Sequence, residues 1–181
     1  MCRFVRLVID RENSYFENTQ YISQVMFLYL RYSKFIKDDY APADSYENML
    51  NFIEKCGMFF WVILADDGEF AGFVFLDNLI GNEEKLHSAE ISTCFEKKFW
   101  GRFTKEAAKQ FIQYCFETLG LCKIKALIYP FNFRVKTLLK DSGFTKECVL
   151  KGETLKNNTM QDIEVYSIFA QMKGLNYENR N

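Results

Sequence analysis

Histidine occurs once in these 181 residues, at His87. That rules out a multi-histidine metal site, and the six cysteines (Cys2, Cys56, Cys94, Cys115, Cys122, Cys148) form no C-x-x-C pair that could serve zinc instead. No apolar run approaches the roughly 20 residues needed to span a bilayer. No export signal precedes the strand-like opening, so the cysteines are expected to be free thiols in a reducing cytoplasm. An excess of one charge is missing too: Lys and Arg number 23, Asp and Glu 24, for a net charge of −1. Such balance gives no general attraction to nucleic acid or to an anionic membrane. There is no G-x-x-x-x-G-K-[ST], no G-x-G-x-x-G and no G-x-S-x-G, which removes the P-loop, the dinucleotide fold and the nucleophile elbow. No internal repeat, low-complexity tract or linker divides the chain.

Apolar residues are abundant, at 49%, with 17% aromatics and 19 phenylalanines. This is the composition of a packed globular chain, and residues 1–181 are expected to form one domain that buries about 70% of its unfolded surface. In chain order, RFVRLVID predicts a first or edge strand. Residues 15–37 carry Tyr21, Val25, Leu28, Tyr29 and Tyr32 at helical spacing and predict one helix or a broken pair, followed by a turn at 38–42. Ser45 is placed to cap a helix over 46–55 with Met49, Leu50, Phe52 and Ile53 inward, and Gly57 stops it. The run MFFWVILA, then Asp66-Asp67-Gly68, then EFAGFVFLDNL predicts a hairpin of buried strands. Two more strands are expected at 145–155 and 162–172, joined by Lys156-Asn157-Asn158-Thr159, with a frayed NYENRN end.

The stretch from Glu90 to Phe144 is the most informative. It predicts a strand over 88–95, a turn over 96–103, an amphipathic helix over 104–119 and a strand over 123–129. A short helix, capped by Asn132, then ends at Gly143. Ala108, Phe111, Ile112, Cys115 and Leu119 form the inward face of the long helix, Thr104 is its expected cap, and Gly120 its stop. A strand running through a tight turn into a helix aims unpaired N–H groups and the positive end of the helix dipole at one point. That arrangement suits a phosphate or pyrophosphate.

AEISTCFEKKFWGRFTKEA, the Leu119-Gly120-Leu121 helix end, Asn132 and LLKDSGF together resemble the coenzyme-binding core of the GNAT N-acetyltransferases. The likeness is greatest to the Rim-type branch, which acetylates ribosomal-protein N-termini, and it spans about Phe59 to Ala170. The resemblance implies an α/β fold: a central, mostly antiparallel twisted sheet with a parallel βαβ core and flanking helices. It also implies acetyl-CoA as co-substrate. Two departures stand out: WGRFTKEA replaces the usual WGKGYATEA, losing one residue and the second glycine, and Val135 stands where Ser or Ala often follows the Asn.

By this resemblance Glu90 is the candidate general base toward an acceptor amine, because an ammonium must lose a proton before it can attack a thioester. As an ordinary strand carboxylate it would pair with a lysine. Cys94 and Phe95 are expected to meet the pantetheine arm through their backbone. As a side chain Cys94 reads as a buried filler, since His87, seven positions away, falls on the opposite strand face. Trp100, Gly101, Arg102, Phe103 and Thr104 form the coenzyme loop, and Asn132 serves as a helix cap, a coenzyme contact or both. Tyr29, Tyr32, Phe35 and Tyr40 either line the acceptor pocket or pack the core. Two functions are compatible with this pattern. One is acetyl transfer from acetyl-CoA to a primary amine, on a small molecule or a protein N-terminus. The other is a catalytically inactive binding or assembly module, a possible homodimer, that has lost the coenzyme site with its glycine.

Overall fold

The computed structural model describes residues 2–41, 44–82 and 84–171. The hairpin is where the core begins. Strand β4 (Phe60–Ala65) is buried at every position because it has cover on both faces, Phe60, Val62 and Leu64 toward one layer and Trp61 and Ile63 toward the other. Its partner β5 (Phe70–Gly81) alternates the same way: Phe73 and Phe75 join the first set, Val74 and Leu76 the second. Asp67 braces the turn by accepting the Glu69 N–H at 2.9 Å.

The amino-terminal segment departs from expectation. The predicted single strand breaks at Leu7, whose N–H turns to the Phe60 carbonyl at 3.0 Å. Before the break lies β1 (Cys2–Arg6), an edge strand on β4; after it comes β2 (Val8–Asp10), which pairs with β3 (Tyr15–Glu17) in a separate ribbon. Tyr15 to Glu17 is therefore strand and not helix; Tyr15 and Phe16 are more than half exposed, so no core face pulls them into a helix. A left-handed Asn18 (φ 55°) ends the ribbon. The helical spacing holds from Ile22 on. Helix α1 (Ile22–Arg31) buries Ile22, Val25 and Leu28, and a kink at Tyr32 separates it from α2 (Ser33–Ile36). Helix α3 (Tyr46–Cys56) is capped as expected, the Ser45 hydroxyl accepting the Asn48 N–H at 3.1 Å.

The remaining elements are β6 (Leu86–Phe95), α4 (Arg102–Glu117), β7 (Lys123–Ile128), α5 (Phe133–Asp141), β8 (Thr145–Lys156) and β9 (Thr159–Phe169). The last two strands pair further than predicted, up to Lys156 opposite Thr159. Asn157 and Asn158 (φ 51° and 55°) make a two-residue turn of the kind that matches strand twist. Met172 and the NYENRN end lie outside the described residues. The seven strands run β1-β4-β5-β6-β7-β9-β8, antiparallel throughout except for β6 beside β7. Helices α4 and α5 pack on one face of this mixed sheet, through Ala107, Phe111, Ile112, Cys115 and Leu139; α1 and α3 pack on the other. Among the described residues no helix is long and apolar enough to cross a membrane.

Gly72 is required by close approach. A Cβ there would sit on the Cys94 carbonyl oxygen and 3.0 Å from the Phe95 Cα, both main-chain atoms of the neighbouring strand. Gly72→Ala is expected to cost roughly 3 kcal/mol by overpacking, read as a lower urea midpoint; an unchanged midpoint would show that β5 and β6 do not approach this closely.

Candidate active site

The site begins with a parting of strands. β6 and β7 pair at three rungs, Ser88 with Lys123, Ala89 with Ile124 and Glu90 with Lys125, and pairing ends there. Beyond it β6 stays with β5, and β7 stays with β9 as far as Ile128 opposite Glu164. Two hydrogen bonds fix the direction of the main-chain groups along β6. Glu96 N–H donates to Ala71 on β5, and Cys122 N–H donates to the His87 carbonyl from the β7 side. Even-numbered residues thus bond toward β5, and the odd ones, Ile91, Thr93 and Phe95, present their N–H and C=O to the gap. The backbone of Cys94 faces β5, so of the two residues expected to hold an extended arm, Phe95 is placed for it and Cys94 is not. Ile91 and Thr93 are placed equally well, and alternation along the strand was the signal for them. This inner edge is about 16 Å long, a slot for an extended molecule that adds itself as a strand.

At the end of β6 the chain turns into α4. Gly101 is the residue before the helix, with φ 103° and ψ −123°, a conformation that an L side chain strains to adopt, although a Cβ would meet open space. Thr104, expected as the cap, instead lies within the first turn, 7% exposed, and its hydroxyl donates to the Phe99 carbonyl at 2.8 Å. No side chain caps the helix, and no protein acceptor is recorded among the described residues for the N–H groups of Gly101, Arg102, Phe103 and Thr104. Beside the first two of these residues lies a surface depression lined by Gly101, Arg102, Lys105, Glu106 and Lys109. Arg102 pairs with Glu106, and Lys105 with Asp141, each at 2.7 Å on the surface, where such pairs are worth little and can be exchanged for a bound anion.

Two loop aromatics take different places. Phe103 packs on Phe99 and Phe95, with ring centroids 4.9 and 6.5 Å apart. Trp100 spans the mouth: its indole N–H donates to the Phe95 carbonyl at 3.0 Å, and its ring lies 4.3 Å under the Arg134 guanidinium of α5 and 5.6 Å from Tyr32. Asn132 caps α5, accepting the Val135 N–H at 3.5 Å, the outer limit of a hydrogen bond.

The roof on the α1 side is fastened across the gap. Asp39 accepts the N–H groups of Asn157 and Asn158 at 2.8 and 2.7 Å, and Thr154 donates to Asp38 at 2.7 Å. Tyr129 donates to the Lys37 carbonyl at 3.1 Å. Of the four aromatics expected near the acceptor, Tyr29 packs toward Phe52, with its phenol pushed up to about 12 by burial and then by Asp44. Tyr32 reaches Trp100, Phe35 meets Phe131 at 6.1 Å, and Tyr40 is exposed.

At the apex of the parting lies a row of charge. Glu90 accepts from Lys125 Nζ at 2.8 Å on one oxygen and from Asn78 Nδ2 at 2.9 Å on the other. Opposite it on β5 is Asp77, on the same sheet face, which sequence reasoning missed. The signal was present: an acidic residue ends the apolar run FAGFVFL. Burial, and then the charge of Glu90, pushes the Asp77 carboxyl up to about 6. Cys94 is a buried thiol pushed up to about 12, again chiefly by burial, and is inert as a nucleophile. His87 lies exposed near the start of β6. Among the described residues no group of three or more His, Cys, Asp or Glu is arranged to hold a metal.

Comparison with known proteins gives a consistent picture. The acetyltransferase (GNAT) domain family matches residues 14–145. An uncharacterised N-acetyltransferase of Bacillus subtilis, YoaA, is 32% identical over 116 residues, 64% of either chain. A GNAT-family acetyltransferase of Bacillus anthracis shares the fold at a TM-score of 0.66 and 21% identity, over 83% of this chain and 89% of that one. Spermidine N-acetyltransferase of Vibrio cholerae, solved with CoA and spermine, aligns at a TM-score of 0.71 and 18% identity, over 92% and 95%.

Asp77 makes a pH-dependent contribution to stability, of defined sign. Its folded value lies above the ordinary 3.8, so between 3.8 and about 6 the folded protein keeps a proton that the unfolded chain has released. Stability contributed by this group therefore falls as pH rises through that window. Asp77→Asn is expected to melt above the parent protein at about pH 8, with the difference closing toward about pH 4; equal melting at both ends would contradict the burial of this carboxylate.

Proposed function

Because this chain belongs to the GNAT acetyltransferase family, we propose that it transfers the acetyl group of acetyl-CoA to a primary amine by direct attack. The observation that carries this reading is the inner edge of β6, which leads from the apex charges to the unpaired N–H groups of α4. The edge fits the extended pantetheine arm, with Ile91, Thr93 and Phe95 offering main-chain partners. The donors of Gly101 to Thr104 fit the pyrophosphate, supported by Arg102 and Lys105. The loop is one glycine short of the usual pattern, but the glycine that remains takes the strained position and the donors stay free. The Trp100 indole must release the Phe95 carbonyl for the arm to reach it, and Trp100 with Arg134 then walls the occupied slot. Asn132, loosely held in its cap, is a further partner for the arm.

Acetyl-CoA supplies the activated thioester. A strand amide at the gap stabilises the charge that develops on the carbonyl oxygen. The amine comes from the α1 and α3 side, and the acidic residues Asp77 and Glu90 draw a cationic acceptor to the apex. The spermine in the Vibrio cholerae enzyme supports an amine acceptor here. The resemblance to the Rim-type branch suggests a protein N-terminus as a second acceptor class. The reading as an inactive module is opposed by the four N–H groups of Gly101 to Thr104, for which no protein acceptor is recorded among the described residues.

Isothermal titration with acetyl-CoA tests the proposal. Saturable one-to-one binding is expected, and absence of heat at millimolar ligand would remove the catalytic reading in favour of the binding module. Gly101→Ala strains the loop by about 1–2 kcal/mol, and a loop that relaxes to relieve this strain loses the donor geometry, so affinity is expected to fall about tenfold with stability lowered by no more than the strain itself; unaltered affinity would place the pyrophosphate elsewhere.

A further inference from the structure

The sequence pointed to Glu90 as the base, yet in the folded protein Glu90 is the less available of two carboxylates. Both its oxygens are engaged, one by the Lys125 ammonium and one by the Asn78 amide. Each oxygen keeps a second lone pair, but protonating the carboxylate would weaken its charge-assisted bond to the Lys125 ammonium. Asp77 stands directly across from it on β5. Its one hydrogen bond recorded among the described residues comes from its own backbone N–H. It is half-buried near the end of α3, on the sheet face that α1 and α3 cover.

We infer that Asp77, and not Glu90, receives the proton of the incoming ammonium, directly or through one water, while Glu90 stays bound to Lys125 and Asn78. This rests on the acetyltransferase reading above. The Asp77 carboxylate takes one proton from the ammonium, and the freed nitrogen lone pair forms the C–N bond at the thioester carbonyl carbon. The C–S bond then breaks with its electron pair on sulfur, and a second nitrogen proton neutralises the thiolate. Asp77 releases its proton to solvent, so each turnover gives one amide, one thiol and one proton.

The surroundings suit the task. The groups that act on Asp77 are Glu90 on β6, Lys55 at the end of α3 and Lys125 on β7, with the Cys56 thiol of α3 also near. Burial pushes Cys56 up to about 12, with the charge of Asp77 adding to it, so it stays a neutral thiol. Burial and Glu90 raise the Asp77 carboxyl to about 6, against the weaker pull of the two lysines. At neutral pH it is thus ionised and a better base than an ordinary carboxylate. In this arrangement the charge of Glu90 adds to burial in raising the basicity of Asp77.

The test compares the full-length protein with Asp77→Asn, Asp77→Glu and Glu90→Gln. Acetyl-CoA binding is followed by calorimetry. Thiol release is measured with spermidine and with a short peptide bearing a free N-terminus, and side-chain carboxyl 13C shifts are followed against pH. In the unaltered protein one aspartate resonance, absent from Asp77→Asn, is expected to titrate near pH 6 and to move to lower pH in Glu90→Gln. Asp77→Asn is expected to bind acetyl-CoA within twofold of the parent, to melt no lower, and to lose about 100-fold in kcat, with Asp77→Glu restoring part of it. Glu90→Gln is expected to lose far less and to shift the acidic limb of its rate profile downward. The reverse pattern, with Glu90→Gln inactive and Asp77→Asn active, would overturn the inference and leave the acetyltransferase reading standing. If the unaltered protein neither binds acetyl-CoA nor acetylates either amine, both fall together.

Discussion

The structure depends on two strand partnerships that pull in different directions. Gly72 lets β6 lie hard against β5 near Cys94 and Phe95, while β7 stays hydrogen-bonded to β9 through Ile128. With both outer pairings satisfied, the inner pairing between β6 and β7 holds for only three rungs. An interior sheet edge is costly when its polar groups find no partner. Here the edge runs from Ile91 and Thr93 to a Phe95 carbonyl covered by the Trp100 indole and on to the N-terminus of α4, so edge groups and helix donors follow one another along one surface. A nucleotide thioester, with a peptide-like arm and a pyrophosphate, has the same two features in the same order.

Charge at the apex closes the other end. Lys125 and Glu90 occupy the last rung where the strands still touch, and Asp77 completes the row from the adjacent strand. The ion pair satisfies Glu90 in a half-buried place where an unpaired carboxylate would be expensive. Burial, and then the same negative charge, raises the Asp77 carboxyl against the weaker pull of Lys55 and Lys125. The far wall depends on a different contact, the Asp38 and Asp39 loop fastened to the tip of the β8 and β9 hairpin, which keeps α1 and α2 over the gap.

Much of the fold was legible along the chain. The hairpin of β4 and β5 showed in a continuous apolar run broken by Asp-Asp-Gly, and α3, α4 and α5 showed in helical spacing with their stops. The βαβ unit of β6, α4 and β7 was evident from element order. Errors fell where local pattern and tertiary need diverged. Tyr15 and Phe16 continue the aromatic spacing of α1 but are exposed strand residues, because the ribbon with Val8 to Asp10 claims them. Thr104 has the chemistry of a cap, but the glycine three residues earlier, with a positive φ that other residues avoid, occupies the cap position.

The site was legible in part. The loop of Trp100 to Thr104 and the Asn132 cap could be named from order and residue type, whereas Glu90 was a candidate through the family resemblance. Which backbone groups of β6 face the gap could not, because alternation has two phases and only the pairing with β5 selects one. Nor could the place of Trp100, whose ring spans a mouth formed with Arg134 and Tyr32 from distant parts of the chain. By itself the sequence determined the elements, their order and the family they resemble, since periodicity, turn residues and caps act within a few residues of one another. Only the tertiary structure decided that Asp77 stands beside Glu90 and that Lys125 holds Glu90, because burial and neighbouring charge depend on strands brought together from separate parts of the chain.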